Sequence, residues 1–126
     1  MKKVLLLSAF AALALVIAFS AVRAADMTYS GTLVDSKCYL AHGATTNDHG
    51  TNKGCGTLCL KGGTPGGLLT SDKKFYPLLA PSVALAPYVG EEIRVSGSMV
   101  SGSINVSKVE VNENGNWKEV KLSPSA

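Results

Sequence analysis

Cys38, Cys55 and Cys59 share the stretch 38–59 with both histidines of the chain, His42 and His49. Thiolates and imidazoles ligate soft transition metals, and thiols also form disulfides. Cys55 and Cys59 are four apart. On a helical turn over 53–61 that spacing puts both on one face, about 5–6 Å apart at Cβ. It suits two thiolates on one metal, with Zn–S near 2.3 Å. It suits a mutual disulfide poorly, because the two Cβ vectors run parallel. Gly54 and Gly56 work against such a helix, while Gly62 and Gly63 would end it well. A chain folding back after Cys38 brings that sulfur to Cys55 or Cys59.

Three uses of these thiols follow. In one, Cys38 bridges Cys55 or Cys59, closing a loop of about 20 residues worth roughly 3 kcal/mol. The third cysteine is then left over or links two chains as a disulfide-bonded dimer. In the second, Cys38, Cys55 and Cys59 hold copper or zinc, with His49 or His42 as fourth ligand. In the third, a free thiol of low pKa does redox chemistry. The sequence has no C-x-x-C and no C-x-x-C-H, which argues against a thiol–disulfide oxidoreductase and against covalent haem.

The start of the chain sets the redox context. Lys2 and Lys3 precede an apolar run from Val4 to Phe19, and Val22 and Ala24 supply small residues before Ala25. This is the layout of a cleavable bacterial secretory signal over 1–24. The run of about 16 apolar residues is short for a membrane span, so no span is expected after cleavage. The mature protein is then periplasmic or extracellular, where disulfides persist and an odd cysteine count leaves one thiol to be accounted for.

What remains, 25–126, is about 100 residues, one small domain. The chain carries net charge +3 from 12 basic and 9 acidic residues. Lys2, Lys3 and Arg23 leave with the signal, so the basicity belongs to the signal and the mature chain is neutral. Nucleic acid is therefore not an expected partner, since that needs clustered positive charge. Tyr29, Tyr39, Phe75, Tyr76, Tyr88 and Trp117 are read as packing residues. No phosphate loop, nucleophile elbow or H-E-x-x-H motif appears, and Asp35 reads as a strand-end cap for the following turn rather than a catalytic carboxylate.

The elements that must position the cysteines are mostly strands. Residues 28–34 form a first strand with a close approach at Gly31. A long Cys/Gly-rich loop over 35–67 follows, of a length that usually needs bracing. Residues 68–79 read as a hairpin with Pro77 at an edge or strand end, and 81–88 as one short helix. Ile93, Val95, Gly97 and Met99 alternate with polar residues, the clearest strand signal. Ile104 and Val106 continue one face, but Val109 and Val111 take the other parity, which predicts a bulge near Ser107. Asn112–Asn116 is a turn, and 117–122 forms a last edge strand. The expected fold is all-β: a small OB-like β-barrel of five to six strands, with the helix between the third and fourth.

The runs Gly31-Thr-Leu-Val-Asp35-Ser-Lys-Cys38-Tyr39 and Cys55-Gly-Thr-Leu-Cys59-Leu-Lys-Gly-Gly63, with Tyr88-Val-Gly90 before a Val-rich strand, resemble a group of small secreted bacterial proteins. The specific part is the Asp-x-x-Cys and Cys-x-x-x-Cys-x-x-Gly-Gly pattern. The resemblance covers most of 25–126 and implies an OB-like fold and an exported location. The expected function is binding of copper or zinc through Cys38, Cys55, Cys59 and His49, without enzymatic activity. The alternative is a disulfide-stapled module that binds a ligand or a periplasmic protein partner without metal.

Overall fold

The computed structural model describes residues 25–42 and 53–123. The expected signal, 1–24, and His49 lie outside the described residues. Six strands form one sheet: β1 (Met27–Asp35), β2 (Gly66–Leu69), β3 (Phe75–Leu79), β4 (Glu92–Val100), β5 (Ser103–Glu113) and β6 (Asn116–Glu119). β1 pairs antiparallel with β4 through Met27–Thr32 and with β2 through Thr32–Asp35. β2 pairs with β3, and β4 with β5. A short parallel pairing, Leu78 with Ile104 and Leu79 with Asn105, joins β3 to β5. The five strands thereby close into a ring in the order β1-β2-β3-β5-β4, and β6 adds to β5 alone. This is the expected all-β, small barrel-like fold with OB-like connectivity.

Side-chain alternation fills the ring. Leu33, Leu68, Leu78, Ile93, Val95, Ile104, Val109 and Val111 form one buried cluster with Leu60, Leu85, Ala86, Val89 and Val120. A Cβ on Gly31 would run into the Leu69 carbonyl, so glycine is what lets β1 pass from β4 to β2 at this point. The parity change in β5 is a bulge. Ser96 pairs with Lys108 and Gly97 with Val106, leaving Ser107 as the extra residue, its hydroxyl donating to the Ser96 carbonyl at 3.0 Å. The β5–β6 hairpin turns on Asn114 and Gly115, both at positive φ, as a two-residue turn of the hairpin-favouring kind requires. Met99 departs from its expected inward place and is 40% exposed, because β4 and β5 run past the core toward the Ser101–Gly102 turn.

The expectation of a single helix and a long loop over 35–67 is corrected. Within the described part of that stretch the chain forms two helices, α1 (Ser36–His42) and α2 (Lys53–Lys61), and β2 begins at Gly66. The expected helix is present as α3 (Ser82–Leu85), continued by a 3-10 turn over Ala86–Tyr88. Gly54 and Gly56 each cost α2 about 1 kcal/mol relative to alanine. Leu60 offsets this by entering the core with no exposed surface, which is worth roughly 2 kcal/mol. Packing overrides propensity here. Among the described residues no helix is long and apolar enough to cross a membrane.

Candidate functional site

The site forms where β1 ends and α1 and α2 meet. Asp35 is the last residue of β1 and the residue before α1. Its buried carboxylate accepts the Cys38 backbone N–H at 2.7 Å, satisfying one of the unpaired donors of the first helical turn. The Asp-x-x-Cys spacing is thus a helix N-cap with the cysteine at the third helical position. Tyr39 then lies flat on Phe75, with centroids 4.2 Å apart and planes inclined by 13°. Phe75 in turn covers Gly67, where any Cβ would strike the ring. This stack fixes α1 against the β2–β3 hairpin.

α2 is fixed from its other end. Gly63 has φ +93°. The Thr64 N–H bonds to the Cys59 carbonyl at 3.0 Å and the Gly63 N–H to the Leu60 carbonyl at 3.1 Å. That is a Schellman stop, so the Gly-Gly pair after Cys59 ends the helix. The Ser36 N–H donates to the Pro65 carbonyl at 3.0 Å, and Asp35 pairs with Gly66. The beginning of α1 and the end of α2 are therefore held side by side, and Cys38 meets the two cysteines of α2.

All three cysteines are unbridged, Cys55 exposed and Cys38 and Cys59 half-buried. Their sulfur atoms all lie within 4.8 Å of one another. Around tetrahedral zinc, sulfurs at 2.3 Å from the metal are about 3.8 Å apart, so the triangle needs to close by no more than about 1 Å. His42 is the last residue of α1, while the expected ligand His49 lies outside the described residues, so the structure brings together three of the four expected ligands. For a disulfide, Cys38 can approach either cysteine of α2, whereas Cys55 and Cys59 keep the parallel Cβ directions of one helix face.

Burial raises the Cys38 thiol from its ordinary 9.0 to about 12, reinforced by its hydrogen bond to Asp35 and by the carboxylate's charge. Burial likewise raises Cys59, again with Asp35 adding to it, while Lys37 partly opposes the shift. Asp35 thus has a part at the site beyond its expected role as a cap. The Asp-x-x-Cys spacing signals the cap; the contact with the thiol depends on how the side chains turn within that first helical turn.

Reactivity toward an alkylating agent is expected to follow this arrangement. Exposed Cys55 should react first at pH 8, with Cys38 last and slower by at least about tenfold. The Cys38 thiol ionises less readily folded than unfolded. Its contribution to stability is therefore present below pH 9 and is lost as pH rises from about 9 toward about 12. Mass mapping of alkylated peptides at pH 8 measures the order of reaction, and urea denaturation over a pH series measures the stability; equal labelling of the three cysteines at pH 8 would contradict the first, and an unchanged midpoint above pH 9 the second.

The remaining aromatic residues pack within the chain. Tyr29 and Tyr76 are tilted together at 5.9 Å, and the Arg94 guanidinium sits 4.0 Å over the Trp117 ring. Arg94 also reaches Glu110 at 3.4 Å. The fold and the site together define a small all-β ring protein carrying a three-thiol cluster on two short helices. Compared with protein-family models, with curated proteins and with solved structures, the chain matches none.

Proposed function

We propose that this chain is an exported binding protein, not an enzyme, that holds a soft transition metal, copper or zinc, through Cys38, Cys55 and Cys59. His49 is the fourth ligand of this reading. The observation that carries it is the convergence of three sulfurs from two helices within 4.8 Å. Support also comes from the way the Asp-x-x-Cys and Cys-x-x-x-Cys-x-x-Gly-Gly residues set the ends of those helices, so that the motif positions its own thiols. Soft thiolates select copper(I) and zinc over hard cations. Binding requires the thiolate forms and therefore releases protons, so affinity increases with pH.

The test is metal analysis and thiol titration of protein recovered from the bacterial periplasm. One equivalent of copper or zinc should be present, all three thiols should be blocked, and a chelator should free them. A metal-free protein with one free thiol and one disulfide would replace this reading with the stapled interaction module.

A further inference from the structure

The surroundings of the three sulfurs treat charged and neutral guests differently. Asp35 has no exposed surface and stands against the Cys38 thiol. Copper or zinc must be met by thiolates. Three thiolates outnumber the charge of either ion, and excess charge in a half-buried place is costly. A neutral trivalent hydroxide of arsenic or antimony makes no such demand. Each hydroxyl leaves as water with the proton of one neutral thiol. Three metalloid–oxygen and three S–H bonds break, three metalloid–sulfur and three O–H bonds form, and no oxidant or reductant takes part. The three-sulfur site is neutral before and after.

The geometry agrees with this chemistry. A trivalent metalloid keeps a lone pair and takes its three ligands as the base of a pyramid. Cys38, Cys55 and Cys59 supply a triangle with no edge longer than 4.8 Å. Two corners are half-buried on the anchored ends of α1 and α2, and Cys55 is exposed on the open side.

We propose that the Cys38–Cys55–Cys59 triangle is a receptor for a trivalent thiophilic metalloid, arsenic or antimony arriving as its neutral hydroxide and held by three sulfur bonds. The proposal rests on the reduced three-thiol site of the proposed function and extends its guests beyond metal cations to a neutral, condensing one.

The experiment titrates purified protein, reduced with a phosphine under argon, with arsenous acid, and in parallel with zinc. The readouts are free thiols and intact mass. One equivalent of arsenous acid should remove all three thiols and add the mass of one arsenic less three protons. Cys55→Ser, at the exposed corner where folding is least disturbed, should weaken arsenite binding by at least about tenfold. Zinc binding with thiols still free in arsenous acid would overturn this inference and leave the proposed function standing. Arsenic held by two sulfurs would also overturn it. A reduced protein whose thiols stay free in arsenous acid, in zinc and in a further titration with copper(I) would overturn both readings.

Discussion

Replacing Leu60 by alanine is expected to destabilise the protein by about 3 kcal/mol, within the range for fully buried leucines. Leu60 has no exposed surface and packs in the cluster that contains Leu33, Leu85 and Ala86. A small domain is stable by about 5–15 kcal/mol in all, so the loss is a large share of the total. The effect should extend beyond stability. Leu60 is the core anchor of α2 and lies next to Cys59, and without it the cost of Gly54 and Gly56 loses its main offset. Loss of α2 docking would separate Cys55 and Cys59 from Cys38 and even out the alkylation rates of the three thiols. Urea denaturation reads the first effect and alkylation the second. An unchanged urea midpoint would show that α2 is not held by this side chain.

Asp35→Ala is expected to cost about 2 kcal/mol. It removes an N-cap bond and leaves the Cys38 N–H without its acceptor in a part-buried place. Asp35→Asn should cost little, since asparagine caps about as well as aspartate. The asparagine variant nevertheless removes the carboxylate charge that helps hold the Cys38 thiol protonated. Cys38 in this variant should therefore ionise at lower pH and alkylate faster at pH 8, while Cys55 changes little. Thermal unfolding of the two variants separates capping from charge. If alanine and asparagine proved equally destabilising, the cap would not be the source of the loss.

The strands were legible because their side chains report a two-residue period directly. Ile93, Val95 and Gly97 alternate with polar neighbours and lie buried as expected, and the parity change between Val106 and Val109 marked the bulge at Ser107. Met99 followed the same alternation and misled, because period alone does not show where a strand outruns its core. α1 was not legible. Its seven residues carry no apolar stripe, and it is held by the Asp35 cap and by Tyr39 stacking on Phe75, a partner far along the chain. α2 was readable only as a condition, since its glycines oppose it and the pocket that receives Leu60 is built by later elements. At the site, the four-residue spacing of Cys55 and Cys59 showed which two thiols share a face. The approach of Cys38 depended on the Asp35–Gly66 pairing and the Ser36–Pro65 hydrogen bond, which join segments on opposite sides of the cysteine stretch.

That tie between the beginning of α1 and the end of α2 gives the site a mechanical polarity. The two helices resemble a pair of jaws joined at the Ser36–Pro65 end. Cys38 and Cys59 sit close to the pivot, on the first turn of one jaw and the last turn of the other. Cys55 lies one turn farther out, about 6 Å along the helix. Seen from that joint, Cys38 and Cys59 are the inner corners of the triangle and Cys55 the outer, exposed one. If the triangle takes a guest as proposed, exposed Cys55 is the corner it meets first, with Cys38 and Cys59 behind it.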